Sequence, residues 1–229
     1  MSIKKKALAA ASVLALAGGL STVGTVAASA ATPQCGAACT EVYSMKYATP
    51  TSLGWVETVF LGIPARGVPT EVRPASSSNP GEDLIVPIGK PVEVSQFYAD
   101  GMVSAAVNSH YGSDLAVQLE YAPKGKLTGL CTAVAATAYQ NEPLSLVPCS
   151  APGKTVWILD FPDSPATAPT YFPIVNGSDT DFVHPFAMTI LGNPAHQVFT
   201  PIIMRHLTGN PGNVPANQLW GAAHGTVTP

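Results

Sequence analysis

Gly129-Leu130-Cys131, fourteen intervening residues, Leu146-Val147-Pro148-Cys149, a polar turn from Ser150 to Lys154, and then Thr155-Val156-Trp157-Ile158-Leu159 form the stretch that decides the fold. Short apolar runs with β-branched or aromatic members, separated by turn residues, read as strands. The same texture recurs at Val103–Val107 and Leu115–Tyr121, with turn clusters at Pro123-Lys124-Gly125-Lys126 and from Gly209 to Asn213. One stretch beyond the N-terminus has helical character: Leu130–Glu142 lacks Pro and Gly and aligns Leu130, Ala133, Val134, Thr137 and Ala138 on one face. Elsewhere the 22 prolines, spread along 229 residues, interrupt helices. The predicted class is all-β, with long Pro/Gly-rich loops around Pro74–Pro80 and Pro162–Pro173.

A pattern that repeats once deserves a search for further copies. Downstream, Ile202-Ile203-Met204-Arg205-His206-Leu207 is followed after a Gly/Pro loop by Asn217-Gln218-Leu219-Trp220. Upstream, a fainter copy places Val72-Arg73-Pro74-Ala75 as a middle strand and Glu82-Asp83-Leu84 in the closing place. The Gly-x-Cys, Leu-x-x-Cys and Gln-x-Trp elements resemble the repeat of a ricin B-type lectin, which implies a β-trefoil-like barrel with Trp157 and Trp220 in its core. Thr155 stands where that repeat has Gln. A β-sandwich is the alternative architecture, because alternating strands alone fit both.

The resemblance further implies shallow sugar pockets, with an Asp shortly after the first Cys and an aromatic just before the second. Here Ala133 and Val147 take those places, and Arg73 and Arg205 take the aromatic position in the other copies. The candidate binding residues are therefore Arg73, Arg205, Asn217 and Gln218, and the expected function is a non-catalytic binding domain with a degenerate sugar site. A secreted structural or protein-binding domain, such as an inhibitor or an envelope-associated factor, is the second expectation.

Met1–Ala30 has the order of a secretory signal peptide: Lys4, Lys5 and Lys6, an apolar run, and Ala28-Ser29-Ala30 before the cut. Residues 31–50 then read as an N-terminal extension and 51–229 as one domain, exported and not membrane-bound after cleavage. Cys35, Cys39, Cys131 and Cys149 are an even set in an oxidising compartment. Four cysteines allow three connectivities, and the spacings favour Cys35–Cys39 with Cys131–Cys149.

Charged residues make up 11% of the chain, and past Lys6 there are eight basic to fourteen acidic residues. That balance argues against nucleic acid as a partner and leaves a glycan or an extracellular protein. No His-Glu-x-x-His or Gly-x-Ser-x-Gly motif occurs, so no catalytic residue, metal or cofactor is predicted. Two polar groups stand out: Ser109, His110, Tyr111 and Asp114 as a polar hairpin tip, and Asp160, Asp163, Asp179 and Asp181, which suit paired carboxylates or a calcium loop but read more simply as solvated turns.

Overall fold

The computed structural model describes residues 40–48, 54–74, 84–191, 200–209 and 213–224. All lie in the second of the two units into which the chain divides, Thr32–Pro229. The signal-like segment and Cys35 and Cys39 fall outside the described residues.

Among the described residues, thirteen strands and two short α-helices follow in the order β1 (Thr40–Ser44), β2 (Trp55–Val59), β3 (Thr70–Pro74), β4 (Leu84–Pro87), β5 (Val92–Glu93), α1 (Val94–Ala99), α2 (Ala105–Tyr111), β6 (Leu115–Ala122), β7 (Leu130–Ala133), β8 (Ser145–Pro148), β9 (Val156–Leu159), β10 (Ile174–Asn176), β11 (Phe186–Ile190), β12 (Thr200–His206) and β13 (Trp220–His224). Setting β5 and the helices aside leaves three units of four strands: β1–β4, β6–β9 and β10–β13. The first and fourth strands of each unit run side by side round one axis. Antiparallel ladders join β13 to β1, β4 to β6, β6 to β9 and β9 to β10. Paired backbone bonds between Phe172 and Trp220 close the fifth seam, and β1 packs against β4 at the sixth.

The second and third strands form hairpins, β2–β3, β7–β8 and β11–β12, that cap this barrel. Each hairpin also bonds to the next: Thr70 N to Leu144 O at 3.0 Å, Leu144 N to Ile202 O at 3.0 Å, and β3 to β12 through Thr200 opposite Val72. This pairing pattern is that of a β-trefoil, the expected architecture.

The register also locates the faint first copy. Trp157 lies opposite Val117 in its own unit and Asn176 in the next; Trp220 lies opposite Phe172 and Ser44. By the same register Ile85, opposite Tyr121, holds the tryptophan's place in the first unit, and all three are buried. Each indole also ties barrel to cap: Trp157 Nε1 donates to Thr132 O and Trp220 Nε1 to Met188 O, both at 2.9 Å. Leu146, Leu159 and Leu219 are buried as expected.

Four sequence expectations need correction. Leu130–Glu142 is not a helix: Leu130–Ala133 pairs with β8, and Glu142 then folds back to accept from Ala135 N at 2.6 Å and Tyr139 N at 3.3 Å. Strand pairing beside the Cys131–Cys149 disulfide outweighs the helical propensity of the alanines. Conversely, Val103–Val107 is not a strand, because Ser104 caps α2 by accepting from Val107 N at 3.2 Å. The polar tip at Asn108–Asp114 is accordingly the end of that helix and its exit. Finally, Thr40–Ser44, read as part of an extension, is the first barrel strand.

At the cap, Glu57, Thr132 and Met188 occupy one register position in their three units, opposite Val72, Leu146 and Met204. Glu57 is fully buried, accepts from Thr132 Oγ1 at 2.8 Å, and is pushed by burial up to about 8. It is therefore neutral in the fold at pH 7 but ionised in the unfolded chain above about pH 4.5. Its contribution is fully present below that value and lost as pH rises through about 8. Thermal melts will show lower stability at pH 9 than at pH 5, and Glu57→Gln will flatten that slope while raising Tm at pH 9. A wild-type Tm that climbs steadily with pH would contradict this. Trp157→Ala, which empties a core position and leaves Thr132 O unbonded, will cost about 3–5 kcal/mol in denaturant unfolding.

Candidate functional site

The segment between the first and second units, β5 with α1 and α2, has no counterpart between the second and third. Val94, Val107 and Tyr111 from its helices pack on Ala116, Val156, Ile158 and Val175, the outward face of β6, β9 and β10. Val94 N bonds to Asp114 O at 2.9 Å and Ser95 N to Gly112 O at 3.0 Å, fixing the exit of α2 against β5. A second small core thus lies on the outer wall of three of the six barrel strands.

Along its edge runs a cleft of about 410 Å³, bounded by the end of α2, the turn after β9 and the β10–β11 loop. Asp114, Asp160 and Asp163 line it, together with His110, Tyr111 and Phe182. The barrel register explains why the two groups of polar residues meet. Ala116 lies opposite Ile158, and continuing that ladder by two residues sets Asp114 opposite Asp160.

The aromatic wall is ordered by mutual contact. His110 stacks on Phe182 with centroids 4.7 Å apart and planes 19° apart, and Tyr111 meets both rings edge-on. The carboxylates sit in partial burial. Desolvation, helped by the charge of Asp163, pushes Asp160 up to about 6. Asp114 is also raised by burial, against the pull of His110, and Asp163 by burial. Burial, with the fields of Asp160, Asp179, Asp114 and Asp163, raises the Tyr111 hydroxyl above the usual phenol value, so it remains a donor.

Asp179 shapes the loop with both its oxygens, whereas Asp181 braces the following turn and lines the shallow depression beyond His184. Asp179, buried, accepts from Asp181 N at 2.9 Å and from Phe186 N. Asp181 accepts from Val183 N at 3.1 Å and His184 N at 3.0 Å, and the His184 bond holds its carboxyl below the usual range. Among the described residues, no group of three His, Cys, Asp or Glu side chains could hold a metal ion. Past His184 the cleft opens onto a shallow depression lined by His184, His206 and Thr208, where His206 Nδ1 donates to His184 O at 2.5 Å and its ring stacks on Phe186 at 4.0 Å.

The four residues expected to bind are not gathered into one site. Arg73 and Arg205 occupy the equivalent position in two different units, opposite Val56 and Ala187. Arg205 Nε donates to Asn141 Oδ1 at 3.0 Å. Asn217 Nδ2 donates to Ile190 O at 3.4 Å. Gln218 is 2% exposed, with its amide used inside the chain: Nε2 donates to Thr189 Oγ1 and His206 O, and Oε1 accepts from Thr208 N and Oγ1, all at 3.0 Å. In the second unit Gln118 takes over this clamp, donating to Cys149 O at 2.5 Å and to Thr155 Oγ1 at 2.8 Å. The position where the resemblance expects Asp is held by buried Thr58, Ala133 and Thr189.

No protein-family model and no curated protein matches this chain. Among solved structures, one described as "Structure and mode of action of a mosquitocidal holotoxin" superposes on 81% of this chain with a TM-score of 0.50 at 10% identity. The match takes in 17% of that toxin's chain, so this chain spans less than a fifth of it, and the likeness is one of fold.

Because Asp160 is held partly desolvated beside Asp163, its charge costs stability at neutral pH. Asp160→Asn will raise Tm by a few degrees at about pH 7.5 and by less at about pH 5, where the wild-type group is already protonated. An equal gain at both values would remove the electrostatic account.

Proposed function

We propose that this chain is a secreted, non-catalytic β-trefoil binding domain whose ligand is a carbohydrate held in the cleft between α2 and the β10–β11 loop. The observation that carries this reading is the pairing of Asp114, Asp160 and Asp163 with the stacked His110 and Phe182 rings across one cleft. Ionised carboxylates accept paired hydroxyl bonds strongly, and an aromatic face offers apolar area to the C–H face of a sugar. Tyr111, which also lines the cleft, keeps its hydroxyl protonated. The lobe positions that would bind sugar in a ricin-type repeat carry Thr58, Ala133 and Thr189 with Arg73, Val147 and Arg205, which makes the inserted segment the better site. Export is supported by the Met1–Ala30 pattern and by the Cys131–Cys149 disulfide, which suits an oxidising compartment.

A second reading, a protein-binding domain, is favoured by one feature. The β2–β3 turn exposes Phe60, Leu61 and Ile63 together, with Leu61 in the left-handed region at φ 54°. Large apolar side chains grouped on an exposed turn are a common mark of protein contact.

A glycan array followed by calorimetry on the best hit separates the two. Binding to a glycan will strengthen from about pH 5 to about pH 7.5 as Asp160 ionises, and Asp160→Asn and Phe182→Ala will each weaken it roughly tenfold, equivalent to about 1.4 kcal/mol. A blank array, with a protein captured by wild type but not by Leu61→Ser, would favour the second reading.

A further inference from the structure

The barrel has a further cavity, on the inner side of the wall whose outer edge carries the cleft, and its origin is legible in the register. In each closing strand the residue two places beyond the tryptophan position points inward again. These residues are Pro87, Leu159 and Ala222, following Ile85, Trp157 and Trp220. Where the tryptophan layer is filled by two indoles and an isoleucine, the next layer away from the cap has one large side chain and two small ones. The result is a cavity of about 110 Å³ whose wall is built by all six barrel strands: Val42, Pro87, Leu119, Leu159, Ile174 and Ala222 each contribute. No titratable side chain lines it, and Ala222 lies exposed at its mouth.

We infer that the open end of the barrel is a binding site for a small, uncharged apolar group, a single ring or a short alkyl chain. The lining offers no charge, and Thr40 is its one polar side chain, so a sugar or an ion would lose most of its water without replacement. An apolar cavity of about 150 Å³ takes benzene or xenon, so a largely apolar one of about 110 Å³ with an open mouth is of the right order for a single ring. The site does not depend on the carbohydrate reading, since it shares no residue with the cleft.

Benzene is the probe. Titrated into the full-length protein, it will shift the methyl resonances of Leu119, Leu159 and Ile174 saturably and leave those near Phe182 unmoved. Ala222→Leu, which fills the small layer, will weaken benzene binding at least tenfold while keeping the circular dichroism spectrum. Xenon-pressurised crystals of the wild type give a reading that needs no variant: xenon between Leu159 and Ala222 supports the site. Ordered water there, side chains from this chain's own ends there, or benzene shifts that do not saturate would overturn it.

Discussion

Two indole N–H groups hold this molecule's halves together. A six-stranded barrel and a triangle of hairpins are separate layers, and each leaves backbone carbonyls turned inward. Trp157 and Trp220 fill the barrel next to the cap and place a donor on a cap strand's carbonyl in the same step. Apolar bulk and a satisfied polar group thus come from one side chain, which is what burying a tryptophan requires. The first unit lacks this device. Ile85 fills the space without a donor, and the cap strand of that unit instead carries Glu57, whose carboxyl accepts from Thr132 of the neighbouring unit. The threefold arrangement is therefore maintained by two different chemistries.

That difference explains how much of the fold could be read in the residues. The second and third units announce themselves through Cys131, Cys149, Trp157, Gln218 and Trp220. The first was traceable only by its spacing from Val72 to Leu84, because its key position is an unremarkable isoleucine, and its opening strand at Thr40–Ser44 carries no motif at all. The helices at Val94–Ala99 and Ala105–Tyr111 are each under two turns, too short for a 3.6-residue period to show in the sequence. Leu130–Glu142 erred in the other direction, since alanine content says nothing of a ladder with a strand a dozen residues away.

The candidate site was half visible. His110, Tyr111 and Asp114 drew attention as one polar group, and Asp160 and Asp163 as another, but the Asp residues on either side of Thr180 looked equally suitable. What unites the first two groups is antiparallel pairing of β6 with β9, a fact available once the trefoil register is laid on the chain. What sets the Asp179 pair apart is that backbone N–H groups occupy both oxygens of Asp179 and one of Asp181, binding them into the loop. Arg73, Arg205, Asn217 and Gln218 were proposed from their positions in a repeat, and those positions belong to separate lobes or to internal clamps.

The helical insertion has a consequence for the identity of the units. In a barrel made of three like parts, the parts can in principle exchange places, within one chain or between two copies. Here β9 is buried along its whole length, facing the barrel with Trp157 and Leu159 and the helices with Val156 and Ile158. A strand with two apolar faces fits one slot, the one covered on both sides. The second unit therefore carries, in the helices that cover its outer face, a mark of place that the bare repeat lacks.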